Sequence, residues 1–187
     1  MTIRQLLKRT MQGVAVSVAF PFALSCWFGR IEPVYTTLTH IFALAPGLIG
    51  SYFRGGFYKL TLREFSLDTN ISFGSFFVHP DACVGSMVSI GSYCVIGRAK
   101  IGPRTQIASH VQITSGRNQH SRDAQGHLLE SMHGETVIGS HCWIGASAIV
   151  MATVGDGSTI GAGAVVVKDI PSGVVAVGNP ARVVRPV

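Results

Sequence analysis

Cysteine is scarce in this chain, and the four that occur, Cys26, Cys83, Cys94 and Cys142, form no C-x-x-C pair and no ligand-like spacing. Neither a zinc module nor a disulfide framework is indicated, and a reducing compartment follows as the default. Charge is scarce too. Only 13% of the residues are charged, and the fifteen Lys and Arg that produce the formal +6 are scattered, with no stripe interleaved with aromatics. The balance therefore suits an anionic small ligand or a membrane surface, and it argues against nucleic acid as partner. No apolar run is long enough to span a bilayer: the uncharged stretch from Gly13 to Phe28 is broken by Pro21, and spanning needs about 20 residues. Aromatic residues are nearly absent from the second part, where only Tyr93 and Trp143 follow Val78. At 187 residues there is room for one domain with an appendage and none for a second enzyme domain.

The composition shift divides the chain into an N-terminal region, residues 1–77, and a second region, residues 78–187. In the first, Ile3, Leu6, Leu7, Thr10 and Val14 recur at helical spacing behind Thr2, a candidate N-cap, with Arg4, Lys8 and Arg9 on the other side. The spacing predicts an amphipathic helix, and residues 1–30 are candidates either to pack on the rest of the assembly or to touch a membrane surface. Basic residues before an apolar run also resemble a signal peptide, with Leu24-Ser25-Cys26 matching a lipoprotein cleavage site only in part.

The second region repeats with a period of six. Aliphatic residues stand at Val78, Val84, Ile90 and Ile96, then at Ile101, Ile107 and Ile113, then at Ile138, Ile144 and Val150, and finally at Val154, Ile160 and Val166. Glycine follows many of them, at Gly85, Gly91, Gly97, Gly102, Gly139, Gly145, Gly155 and Gly161, which reads as a tight corner in the chain. Small or β-branched residues come four after the aliphatic, among them Ala82, Val88, Cys94, Thr105, Val111, Cys142, Ala148, Ser158 and Ala164. They fit a narrow interior. A period of six is neither that of a helix nor that of alternating strands, so it predicts short parallel strands joined by corners into a triangular solenoid. Cys94 and Cys142 are then core residues.

These repeats, together with the ending Val177-Gly178-Asn179-Pro180-Ala181-Arg182-Val183-Val184-Arg185, resemble the hexapeptide-repeat acyltransferases. The segment Ala45-Pro46-Gly47-Leu48-Ile49-Gly50-Ser51-Tyr52-Phe53-Arg54 resembles, more weakly, members associated with bacterial surface-polysaccharide synthesis. The resemblance implies an all-β core folded as a left-handed parallel β-helix with a mostly helical N-terminal extension. It also implies a homotrimer and acetyl-coenzyme A as acyl donor, with no metal. O-acetylation of a sugar or polysaccharide precursor follows as the expected reaction, with N-acetylation of an amino sugar or a xenobiotic as the alternative. A cytoplasmic enzyme, or one at the inner face of the membrane, is expected, because a user of a cytoplasmic thioester gains nothing from export.

The repeat is interrupted once, at residues 115–135, by a polar stretch containing Arg117, Asn118, Gln119, His120, Ser121, Arg122 and Asp123. Long polar excursions from a rigid solenoid are where function concentrates. In the family the comparable loop reaches a neighbouring subunit and carries the histidine that deprotonates the acceptor, and His120 matches it. An imidazole with a pKa near about 6.5 suits that task. Asp123 and Glu135 are candidates to orient the ring, His141 and Trp143 to line the cleft, and His110 to reach substrate. By the same resemblance Ala146, Ala162, Val167, Lys168, Arg182 and Arg185 match cofactor-binding positions: small residues admit the pantetheine arm and cations meet the phosphates. Val167 departs from the usual threonine. A metal site like that of the γ-class carbonic anhydrases, which share the solenoid, is the non-acyltransferase alternative: their H-x-x-x-x-H zinc spacing is absent here, but the spacing of His120, His127 and His133 leaves a metal site open. Outward Thr ladders of an ice-binding solenoid are absent too, and serine acetyltransferases resemble the chain less.

Overall fold

The computed structural model describes residues 2–116, 125, 127 and 134–187. Three helices come first: α1 (Ile3–Ser25), α2 (Glu32–Ala43) and α3 (Gly47–Thr61). Thr2 caps α1 as its sequence position suggests: its side chain accepts from the Gln5 N–H while the Gln5 side chain accepts from the Thr2 N–H. The face that α1 buries is not the predicted one, however. Ala15, Ala19 and Ala23 are covered, and Ile3, Leu6, Leu7 and Val14 are exposed. The reason is close approach: a Cβ on Gly56 of α3 would lie 2.5 Å from the Ala15 carbonyl oxygen, so only small residues fit where the helices cross. No helix among the described residues is long and apolar enough to cross a membrane.

The solenoid follows, and it starts earlier than Val78. β1 (Glu64–Phe65), β2 (Asn70–Ile71) and β3 (Phe76–Phe77) form a first coil. They pair in parallel with β4 (Cys83–Val84), β5 (Ser89–Ile90) and β6 (Val95–Ile96) of the second. Sequence periodicity missed this coil because its inward residues are Phe65, Ile71 and Phe77, two aromatics among them. Val78, read as a rung from the spacing, is only half-buried; Phe77 beside it is the residue that points inward. The boundary between helical extension and solenoid accordingly falls between Thr61 and Glu64 rather than at residue 77.

The third coil is β7 (Ala99–Ile101), β8 (Gln106–Ile107) and β9 (Gln112–Ile113), and the fourth β10 (Thr136–Ile138), β11 (Trp143–Ile144) and β12 (Ile149–Val150). A bridge at Val154, then β13 (Thr159–Ile160) and β14 (Val165–Val166), make the fifth. Ile170 and β15 (Val174–Val177) begin a sixth, and β16 (Arg182–Pro186) returns antiparallel to β15. The first, second and third strands of successive coils stack into three parallel faces. Each aliphatic residue of the repeat from Val84 on is buried, and so is each small residue four positions later, from Ala82 to Ala164. The interior is a continuous apolar column. Its burial pushes the Cys94 and Cys142 thiols up from their ordinary pKa, as suits inert core residues.

The glycines after the aliphatic positions act differently from the sequence reading. They do not supply the left-handed backbone; that conformation falls two residues later, at Met87, Tyr93, Arg104, His110, His141 and Ser147 and then at Gly157, Gly163 and Gly173. What the earlier glycines provide is room between coils. A Cβ on Gly91 would lie 2.5 Å from the Ser109 nitrogen, and one on Gly145 2.5 Å from the Ala162 nitrogen. Backbone cannot retreat as a side-chain tip can. Gly145→Ala is therefore expected to destabilise the protein by about 1–3 kcal/mol. Gly13→Ala, in α1 with open space around it, should gain up to about 1 kcal/mol. Urea unfolding of both variants checks the contrast, and equal stability would contradict it.

Candidate active site

The polar excursion leaves the solenoid at the corner where the third face turns into the first, between β9 and β10. Its neck is tightly built. The Thr136 hydroxyl, buried in the wall, donates to the Thr114 carbonyl at 2.7 Å and accepts from the Gly116 N–H at 3.1 Å. Buried Ser115 accepts from the Arg98 N–H at 2.9 Å. Glu135, beside the neck, receives the Arg63 guanidinium at 2.7 Å, and Arg63 also donates to the Cys83 sulfur at 2.9 Å. These contacts hold the guanidinium's pKa above its ordinary value, the Cys83 bond more than the Glu135 one. They tie the loop's base to the first coil. Neither Thr136 nor Arg63 was marked by the sequence, since nothing local distinguishes a neck hydroxyl or a distant guanidinium from ordinary surface.

His120 and Asp123 lie outside the described residues. Glu135, the other candidate to orient the base, is exposed and engaged by Arg63. The described histidine at this corner is His79. It lines an open cavity of about 240 Å³ with Val95, Gln112 and Ser115 on the third face, and its Nδ1 stands 3.9 Å from the Glu32 carboxylate.

Other predicted residues separate onto different corners. Ala146 and Ala162 stack on the corner between the second and third faces, where the Ala146 carbonyl accepts from Gly163 N–H at 2.8 Å. Both are exposed, and the outer side of Gly163 is open. The result is a narrow, side-chain-poor strip of surface. His110 belongs to the same column: Ser147 N–H bonds the Ser109 carbonyl at 3.0 Å, and His110 N–H bonds the Ser92 carbonyl at 2.8 Å. Its ring stacks on Tyr93, centroids 5.3 Å apart at 14°. His141 is exposed at the remaining corner, above Arg104 and below Gly157, away from both the loop and the alanine strip. Trp143 projects outward from the second face, half-exposed, in register with Gln106 and Thr159. Val167 and Lys168 sit on the loop's own corner, two coils further on, with Lys168 exposed. Arg182 and Arg185 lie exposed on β16, opposite Val177 and Val175 of β15.

Within one chain, then, the neck of the loop and the alanine strip stand at opposite ends of the third face, roughly 15–20 Å apart for a six-residue side. Among the described residues no three His, Cys, Asp or Glu gather into a metal-binding group.

Residues 135–168, the coils that follow the loop, match the sequence family described as the hexapeptide repeat of succinyl-transferase. The solenoid is a hexapeptide-repeat β-helix. The chain is 54% identical over 54 residues to a putative acetyltransferase, SACOL2570, of Staphylococcus aureus strain COL, a match covering 28% of this chain and 27% of that protein. It is 52% identical over 50 residues to the galactoside O-acetyltransferase of Escherichia coli K12, covering 26% and 25%. The chain spans about a quarter of the length of these relatives. Its fold is that of a maltose O-acetyltransferase from Clostridium difficile 630, with TM-score 0.69 and 24% identity over 89% of this chain and 91% of that one. That likeness includes most of the helical extension as well as the hexapeptide-repeat coils.

Proposed function

We propose that the protein transfers an acetyl group from acetyl-coenzyme A to the hydroxyl of a sugar or polysaccharide precursor, in the cytoplasm, where such thioesters are made. The observation that carries this reading is the half-identical segment shared with a galactoside O-acetyltransferase and a second acetyltransferase. In the reaction, His120 takes the hydroxyl proton as the oxygen attacks the thioester carbonyl carbon. The tetrahedral intermediate collapses with cleavage of the C–S bond, and the imidazolium returns its proton to the departing thiolate. Products are an O-acetyl sugar and free coenzyme A. Acceptor-dependent release of thiol from acetyl-coenzyme A tests the reading, and no release across a panel of sugars and sugar nucleotides would sink it.

The residues present suit such a donor. The exposed strip of Ala146, Ala162 and Gly163 leaves room for a thin pantetheine arm. Arg182, Arg185 and Lys168 are solvent-facing cations available to phosphates. The neck of the loop and this strip stand a full face apart on one chain, which favours completion of the site by the loop of a neighbouring copy, in a homotrimer with three equivalent sites. Sedimentation giving an active monomer would contradict that assembly. Replacing Arg182 and Arg185 together by Gln is expected to weaken coenzyme A binding about three- to tenfold, and the remaining affinity should depend less on salt. Calorimetry finding no change would move the phosphates elsewhere.

A further inference from the structure

The apolar face that α1 turns away from the protein has no occupant among the described residues. At 100° per residue, Leu6, Ile3, Val14, Leu7 and Val18 span about 120° of the helix circumference, an arc they share with Thr10 and Ser17. The centre of that stripe lies about 160° from the buried Ala15–Ala19–Ala23 face, so it points almost directly outward. Exposure agrees: Ile3 is 87% accessible, Leu7 61% and Val14 56%. The stripe runs on into an apolar groove of about 190 Å³ between α1 and α3, lined by Val14 and by Ile49, itself 63% exposed.

Charge decides what covers it. Arg9 flanks one edge of the stripe and Arg4 the other, both exposed, and no Asp or Glu occurs before Glu32. Lys8 is already held by Asp68 at 2.8 Å, on the side where α1 meets the first coil. A contact between two copies of α1 would bring Arg4 and Arg9 against like charges with no acid in either segment to neutralise them. An anionic lipid surface offers both an apolar layer for the stripe and negative headgroups for its edges. The helix cannot cross such a layer, so it would lie along it.

We infer that α1 docks the protein on an anionic membrane surface, with the Leu6–Ile3–Val14–Leu7–Val18 stripe entering the headgroup boundary and Arg4 and Arg9 resting on the phosphates. This does not depend on the acyl-transfer reading, because its readout is binding. Flotation with vesicles of phosphatidylcholine alone and of phosphatidylcholine with phosphatidylglycerol is the test. The full protein should float with the anionic vesicles, weakly with the neutral ones, and less as salt is raised. Arg4→Gln with Arg9→Gln should weaken anionic-vesicle binding on the order of 30-fold at low salt, at about fivefold per cation. Leu6→Ser with Leu7→Ser should abolish flotation while sedimentation mass and helical circular dichroism stay as in the parent, since the Ala15–Ala19–Ala23 contact is untouched. Failure of the parent to float, or binding that ignores both salt and lipid charge, overturns the inference. So does a smaller sedimenting species for the leucine variant, which would make the stripe a contact between copies.

Discussion

His120→Ala is expected to lower the acyl-transfer rate by about 10²–10⁴-fold, the usual contribution of a positioned general base, while leaving coenzyme A affinity nearly unchanged. The expectation rests on a solenoid interrupted once, a neck that fixes the ends of the interruption through Thr136 and Ser115, and a histidine in the intervening polar stretch. The split between rate and affinity carries the discrimination, because a residue that merely shaped the donor groove would move both. Near-normal turnover in His120→Ala, joined to loss of turnover in His110→Ala or His141→Ala, would move the base to the solenoid wall. His110 is the stronger rival of the two, since it shares the corner of Ala146 and Ala162. Oligomeric mass has to be measured on the same sample, so that lost assembly is not taken for lost chemistry.

Arg54→Leu is expected to destabilise the protein by roughly 3–5 kcal/mol. Its guanidinium is almost wholly buried, no carboxylate among the described residues pairs with it, and burial lowers its pKa. It donates instead to four carbonyls: Ile71 at 3.1 Å, Phe42 at 3.1 Å, Ala43 at 3.3 Å and Ala45 at 2.7 Å. Phe42 and Ala43 close the last turn of α2, whose terminal carbonyls have no intrahelical donor, and a cation there also meets the negative end of the helix dipole. Ile71 belongs to the first coil. One side chain thus joins α2, α3 and the solenoid; leucine would take the donor from the Ile71 and Ala45 carbonyls, while Ala43 keeps the Gly74 N–H and Phe42 the Ala45 N–H. Arg54→Lys should recover little of the loss, because an ammonium cannot reach carbonyls on both sides as the fork does. Urea unfolding followed by circular dichroism checks both variants; a loss under about 1 kcal/mol for Arg54→Leu would mean that water replaces the bonds.

What the sequence made legible followed one rule, the six-residue period. Wherever an aliphatic residue marked the inward position, from Val84 to Val166, the coil was readable, along with the small interior residues and the single excursion. Where aromatics took that position, at Phe65 and Phe77, the first coil was read as part of the helical extension. The corner glycines were recognised, but for the wrong reason, since the crowding they relieve comes from the next coil, which is sixteen to eighteen residues away except across the loop. The exposed stripe of α1 was visible as a pattern, yet the pattern could not reveal that the alanine face would be the one buried. For the site, the resemblance to the hexapeptide-repeat acyltransferases suggested His120 and the candidate coenzyme-binding set. It could not show that the alanine strip and the neck of the loop stand on different corners, because corner assignment depends on how coils stack. Arg63 and Arg54 were beyond reach for the same reason: each acts on partners distant in sequence.

The central claim, acetyl transfer to a sugar hydroxyl, is tested most directly by the chemistry of the product. Purified protein is incubated with acetyl-coenzyme A and a panel of sugars, amino sugars and sugar nucleotides, with thiol release and acetylated product quantified together. Equimolar thiol and acetylated sugar are expected, with the acetyl group lost in mild alkali as an ester is and the reaction suppressed in His120→Ala. An alkali-stable acetyl group on an amino sugar, or thiol release that is independent of acceptor, would contradict acetyl transfer to a sugar hydroxyl.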